Sequence, residues 1–226
     1  MIKTRKIVII GDSAFAEVAY ECFTHDSEYE VVGFAVELAY LKRTELFGLP
    51  IVAFEQIEAA FDPSEVEFYA ALVYTQLNRL RTRLYQAAKA KGYRAASYVS
   101  SRAFVWHNVQ IGEHCFIFED NTLQPFVRVG SNVVLWSGNH VGHHSVIQDH
   151  CFIASHVVIS GFCNIGCNTF MGVNATLANN VTIGEDNWIG LGVSIVKDTG
   201  PNVLFGGLQP EAAKISARRF FKLAEK

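Results

Sequence analysis

Five of the chain's eight histidines fall between positions 140 and 156: His140, His143, His144, His150 and His156. Imidazoles at that density admit three readings. They can ligate zinc, accept a proton near neutral pH as a general base, or simply occupy a polar surface. Spacing begins to separate these, because His144, His150 and His156 are six residues apart. Six is the period of neither a helix nor an amphipathic strand. The elements that carry these side chains must therefore be identified first.

From Val99 onward every sixth residue is aliphatic: Val99, Val105, Ile111, Ile117, Leu123, Val129, Leu135, Val141, Ile147, Ile153, Ile159, Ile165, Met171, Leu177, Ile183, Ile189 and Ile195. If about one residue in four were aliphatic, chance would give such a run roughly once in 10¹⁰ trials, so this is a structural repeat. A triangular parallel β-helix has this period: each hexad is one short strand and one corner, and three hexads close a coil. A second column, four residues past the anchor, is small or thin, as at Cys115, Val133, Ser145, Cys151, Val157, Cys163, Thr169, Ala175, Val181 and Val193. Glycine often follows the anchor, as at Gly112, Gly130, Gly142, Gly166, Gly172, Gly184 and Gly190, where a tight corner favours a residue without Cβ. Cys115, Cys151 and Cys163 read as small core fillers, whereas Cys22 and Cys167 have no assignable partner.

Residues 1–98 follow other periods. KIVII (6–10) reads as a buried strand and GDSAFAEVAYECF (11–23) as a glycine turn feeding a helix. Further strands are expected over 29–37 and 65–73, and a helix over 78–92 ended by Gly92. Strands alternating with helices imply a small Rossmann-like parallel sheet, with its ligand crevice at the strand carboxyl ends near Gly11–Phe15, Val36–Glu37 and Tyr74–Gln76. The turn lacks a full GxGxxG, which favours a nucleotide phosphate on the helix amides over a dinucleotide cofactor. The expected fold is thus α/β plus β-solenoid: a Rossmann-like βαβ domain (1–98), then a hexapeptide β-helix domain with a C-terminal helix (99–226).

Composition narrows the classes. The net charge of −3 argues against a general nucleic-acid binder. No apolar run is long enough to span a membrane, and the first apolar stretch reads as a strand rather than a signal peptide. Five cysteines without CxxC pairing point to reduced thiols and a cytoplasmic protein.

A βαβ half followed by hexapeptide coils resembles the nucleotide-sugar N-acyltransferases of the hexapeptide-repeat family, which includes the bacillosamine N-acetyltransferase. The resemblance spans roughly residues 5–207. It implies a left-handed coil and a cytoplasmic homotrimer with active sites between subunits. It also implies acetyl-CoA as co-substrate, a nucleotide-linked amino sugar as acceptor, no metal, and a place in O-antigen or surface polysaccharide biosynthesis. The family's base segment aligns with Val141-Gly142-His143-His144, which puts His143 on the base position and His144 where an acidic neighbour usually stands. The resemblance places acyl-CoA contacts on Phe152, Ala154, Gly161, Gly172, Val173, Gly190 and Leu191, with Phe152 replacing a histidine. It places nucleotide-sugar contacts on Gly11, Asp12, Ser13, Phe15 and Glu37, with Phe15 again replacing a histidine, and the usual Gly-Asn after the third strand is absent. The tail 211–226 reads as a capping helix bearing Lys214, Arg218, Arg219 and Lys222, charges that could meet CoA phosphates.

Three alternatives stay open: O-acyl transfer to a sugar hydroxyl, a trimeric zinc site of gamma-carbonic-anhydrase type, and a non-catalytic scaffold. His144, His150 and His156 fall at three different corners of one coil and cannot converge within a subunit. His114 and His150 share a column two coils apart, roughly 10 Å at about 4.8 Å per coil, too far for one zinc.

Overall fold

The computed structural model describes residues 2–207 and 212–224. Its N-terminal part is a sheet ordered β3-β4-β2-β1-β5, in which β1 (Arg5–Ile10), β2 (Tyr29–Val36), β4 (Leu49–Ala53) and β5 (Val66–Ala70) run parallel. β1 lies inside the sheet, between β2 and β5, and Ile7–Ile10 are accordingly buried on both faces, as an inner parallel strand requires. Helix α1 (Ala14–His25) buries Phe15, Ala16, Ala19 and Phe23, and α3 (Arg79–Ala90) buries Arg81, Leu84, Tyr85 and Ala88. The strands and helices expected from sequence are present with ends shifted by a few residues. The antiparallel pair of β3 (Glu45–Leu46) with β4, and the short α2 (Ile57–Ala60), were not anticipated. β3 and β4 turn at Phe47 and Gly48, both with positive φ.

From Tyr98 the chain winds a left-handed three-faced prism of two-residue parallel strands. Face A stacks Tyr98–Val99, Phe116–Ile117, Val134–Leu135, Phe152–Ile153, Phe170–Met171, Trp188–Ile189 and Leu204–Phe205. Face B runs from Phe104–Val105 through His140–Val141 to Ser194–Ile195, and face C from Gln110–Ile111 through Val146–Ile147 to Thr182–Ile183. Every sixth-residue anchor is the second residue of a strand, and Ile117 to Ile195 are buried in one core with the small column between them. Burial drives the Cys115 and Cys151 thiols up to about 12, so both are inert fillers.

The corners are built differently from the sequence expectation. Gly142 has no positive φ. It is glycine because a Cβ would come within 2.6 Å of Gly161 N in the next coil. The left-handed residue is instead the third past each anchor, with φ between 56° and 67° from His114 to Asp186 where it is not glycine. Asn, Asp and His are the non-glycine types that tolerate this region. The regular spacing of His144, His150 and His156 is therefore a corner requirement.

The residue before each anchor points outward, and only on face A is it consistently apolar. Phe116, Val134, Phe152, Phe170, Tyr98 and Trp188 pack with Phe15, Phe23 and Tyr69 in one cluster that joins the prism to the α/β layer. At about 1.5–3 kcal/mol for each large side chain buried, this contact contributes substantially to stability. The tail forms a helix only over Ala217–Phe220, capped by the Ser216 side chain and exposed throughout. Without a packed face so short a helix cannot extend. Glu211, within the expected tail helix, lies outside the described residues.

Candidate functional site

Three prism edges carry the candidate residues, each in a different setting. At the CA edge the α/β layer covers the corners. His114 is fully buried, accepts the Ala70 N–H on Nε2 at 2.8 Å and meets Asn132 Oδ1 through Nδ1 at 2.9 Å. Burial holds its imidazole neutral, down to about 3, and lowers His150 for the same reason. Fully buried Arg81 has no carboxylate partner among the described residues. It donates to Asn132 Oδ1, Asn78 Oδ1 and the carbonyls of Asn132, His150 and Cys151 at 3.0–3.2 Å. Desolvation lowers it to about 10. These are load points between α3 and the coil, not reactive groups.

At the BC edge nothing from the α/β layer intervenes, and His143 and His144 are both exposed. His143 donates its backbone N–H to Gln124 Oε1 at 2.9 Å, and its ring lies over Gly161, where a Cβ would meet Cε1 at 3.0 Å. The two Nδ1 atoms of His143 and His144 are 3.2 Å apart. His144 stacks between Phe126 and Phe162, one coil away on either side. A hollow of about 280 Å³ beside them is lined by Asn108, Gln110, Phe126, Arg128 and His144. A base with one ring edge open and the other hydrogen-bonded can accept a proton from an approaching nucleophile.

Of the expected acyl-CoA residues, Gly161 lies at this edge beneath His143. Ala154, Gly172, Val173, Gly190 and Leu191 line the AB edge instead, with Val173 and Leu191 exposed. Phe152 is corrected: its ring is 2% exposed, packed under Tyr74 and Arg81 on the covered face, and is not available to a ligand.

At the strand carboxyl ends, Gly11 has a positive φ (115°), and a Cβ there would stand 3.2 Å from Ala71 O. Ser13 caps α1 with its hydroxyl making no cap hydrogen bond. Asp12 is paired with Arg43 at 3.1 Å, and Glu37 takes a bidentate pair from Arg83 at 2.7 and 2.9 Å. Phe15 is also corrected. It is a core ring, with centroids 5.5 Å from Phe116 and 5.7 Å from Trp136, so it cannot reach a sugar. Sequence reasoning missed Arg43 and Arg83 at the crevice mouth. Arg43 precedes the unanticipated β3, and Arg83 reads as an ordinary helix charge.

Among the described residues no three His, Cys, Asp or Glu side chains are grouped to hold a metal ion, and no helix is long and apolar enough to cross a membrane.

The pattern of the bacterial transferase hexapeptide (six repeats) matches residues 126–161, the stretch that includes His143 and His144. No curated protein matches the sequence. Among solved structures the chain is similar to the acetyltransferase domain of PglB from Neisseria gonorrhoeae FA1090, with 20% identity, TM-score 0.80, and coverage of 90% of this chain and 97% of that one. It is similar to a variant of perosamine N-acetyltransferase from Caulobacter crescentus in complex with CoA and GDP-perosamine, with 22% identity, TM-score 0.80, and coverage of 92% and 96%. WeeI from Acinetobacter baumannii AYE shares 18% identity at TM-score 0.62, with coverage of 90% and 97%. At these identities the likeness establishes a shared fold.

Proposed function

We propose that the protein transfers a short acyl group, acetyl foremost, from its CoA thioester to the amine of a nucleotide-linked amino sugar, with His143 as general base. One observation carries this: His143 stands exposed at a glycine-lined edge, hydrogen-bonded on Nδ1, in a fold shared with proteins named as sugar and PglB acetyltransferases. The amine nitrogen attacks the thioester carbonyl as Nε2 of His143 accepts its proton. The C–N bond forms, the C–S bond breaks, and the thiolate leaves with a proton from the imidazolium. No covalent enzyme intermediate is needed, in keeping with cysteine thiols that desolvation pushes up at every position. The Gly161 N–H already donates to Asn179 Oδ1 at 2.9 Å and is not assigned to the oxyanion.

Topology supports a shared site. The α/β layer covers face A, and the BC edge is the vertex opposite that face. A nucleotide-sugar held near Gly11, Asp12 and Ser13, with Arg43 and Arg83 at the mouth, therefore meets His143 of another subunit. We infer more than one subunit on this ground, the homotrimer being what the resemblance implies, with CoA along the AB edge at Ala154, Gly172, Val173, Gly190 and Leu191. Within one subunit His144, His150 and His156 diverge to three edges and cannot share one zinc.

The test is thiol release from acetyl-CoA with UDP-, dTDP- and GDP-linked amino sugars beside their hydroxyl counterparts. Turnover with an amine, giving an N-acetyl product by mass, is expected. Turnover with hydroxyls alone would make the enzyme an O-acyltransferase, and silence on both would contradict acyl transfer.

A further inference from the structure

Left-handed corner residues recur every six positions from His114 to Gly192, and all but two are Asn, Asp, Gly or His. The two exceptions are Phe126 (φ 67°) and Phe162 (φ 61°), bulky side chains that this backbone region disfavours. They sit one coil either side of His144 in its own column. Phe126 stacks on the imidazole at 4.5 Å and 29°, and Phe162 at 4.8 Å and 18°. Outliers gathered at one candidate site point to a local task. Here the task is mechanical: two rings clamp the plane of His144, and in that plane its Nδ1 lies 3.2 Å from Nδ1 of His143.

Resting on the acyl-transfer reading, we infer that His144 is a positioning residue: a neutral imidazole that accepts the Nδ1–H of His143 and so keeps the Nε2 lone pair of His143 free. Two neutral imidazoles joined through their Nδ1 atoms share one proton, and its owner decides the chemistry. If His143 owns it, Nε2 of His143 is unprotonated and can act as base, while exposed His144 carries its own proton on Nε2 facing water. If His144 owns it, Nε2 of His143 is protonated and cannot accept another. When His143 takes up the substrate proton, its Nδ1–H bond to His144 becomes charge-assisted. A second imidazole thus fixes the tautomer, a role usually assigned to a carboxylate or carbonyl.

The test compares wild type, His144→Phe and His144→Asn by imidazole ¹⁵N shifts and by kinetics. His144→Phe extends an aromatic column already tolerated at positions 126 and 162 but removes the acceptor. His144→Asn keeps an acceptor oxygen near the Nδ1 position and suits the corner. Wild type is expected to show His143 as the Nδ1–H tautomer. In His144→Phe that signature is expected to be lost, with kcat down about 10- to 100-fold, short of the full value of a general base, and KM nearly unchanged. His144→Asn should restore both. An Nε2–H tautomer in wild type, or an unchanged tautomer and kcat in His144→Phe, would overturn the inference. The shifts need no turnover. If His143→Ala stays active while the shifts behave as expected, the base assignment fails and the hydrogen-bond reading stands.

Discussion

His114 and His150 at the CA edge and His144 at the BC edge occupy the same hexad position, on corners of matching backbone. At the covered edge the imidazoles are drawn into a network with Arg81, Asn132 and Ala70, and burial suppresses their protonation. At the open edge the imidazole is held by stacking and by its Nδ1 contact with His143, a neighbour that faces solvent. The repeat dictates where a histidine is sterically welcome. What lies over the edge dictates whether it does chemistry.

That contrast can be broken at several points. The largest expected effect is at the covered edge: Arg81→Met leaves the carbonyls of Asn132 and His150 without that donor, while Cys151 O keeps only the Val134 N–H. It should lower unfolding stability by roughly 2–5 kcal/mol in denaturant titration, because buried acceptors left unsatisfied cost about 1–3 kcal/mol each. Next is the pH dependence of stability. His114 is held down to about 3 in the native state and returns to about 6.5 on unfolding. Between those values the unfolded chain binds the extra proton, so stability falls as pH drops through that window, by up to about 1.4 kcal/mol per pH unit. His114→Asn should cost about 1–3 kcal/mol at neutral pH through the lost Ala70 contact and should flatten that slope. Smallest in stability is Phe162→Asn, which relieves a strained corner and should gain up to about 1 kcal/mol while lowering kcat, because the clamp on His144 is opened. A variant more stable and equally active would remove the functional reading of the outlier.

The sequence displayed the prism almost completely, because an aliphatic period of six has one simple structural solution. The period alone did not single out His143; the resemblance of Val141-Gly142-His143-His144 to the family's base segment did. A second signal went unread. The residues before the face A anchors, Phe116, Phe152, Phe170 and Trp188 among them, recur at multiples of eighteen and mark the face that the α/β layer covers. Reading it would have removed Phe152 from the acyl-CoA contacts. Phe15 would have followed, since an apolar face needs apolar rings against it. Arg81 was not legible at all. Its acceptors are mostly backbone carbonyls of residues far along the chain, and no residue type announces them. The same holds for the ion pairs of Arg43 and Arg83 at the crevice.

The most direct test of the two-edge account is kcat per folded molecule for His143→Ala and His150→Asn, measured with acetyl-CoA and one accepted amino-sugar nucleotide. The account predicts at least about a 10²-fold loss of kcat with unchanged Tm for His143→Ala. For His150→Asn it predicts near-normal kcat with a lowered Tm. Normal turnover in His143→Ala, or a selective loss of kcat in His150→Asn, would contradict it.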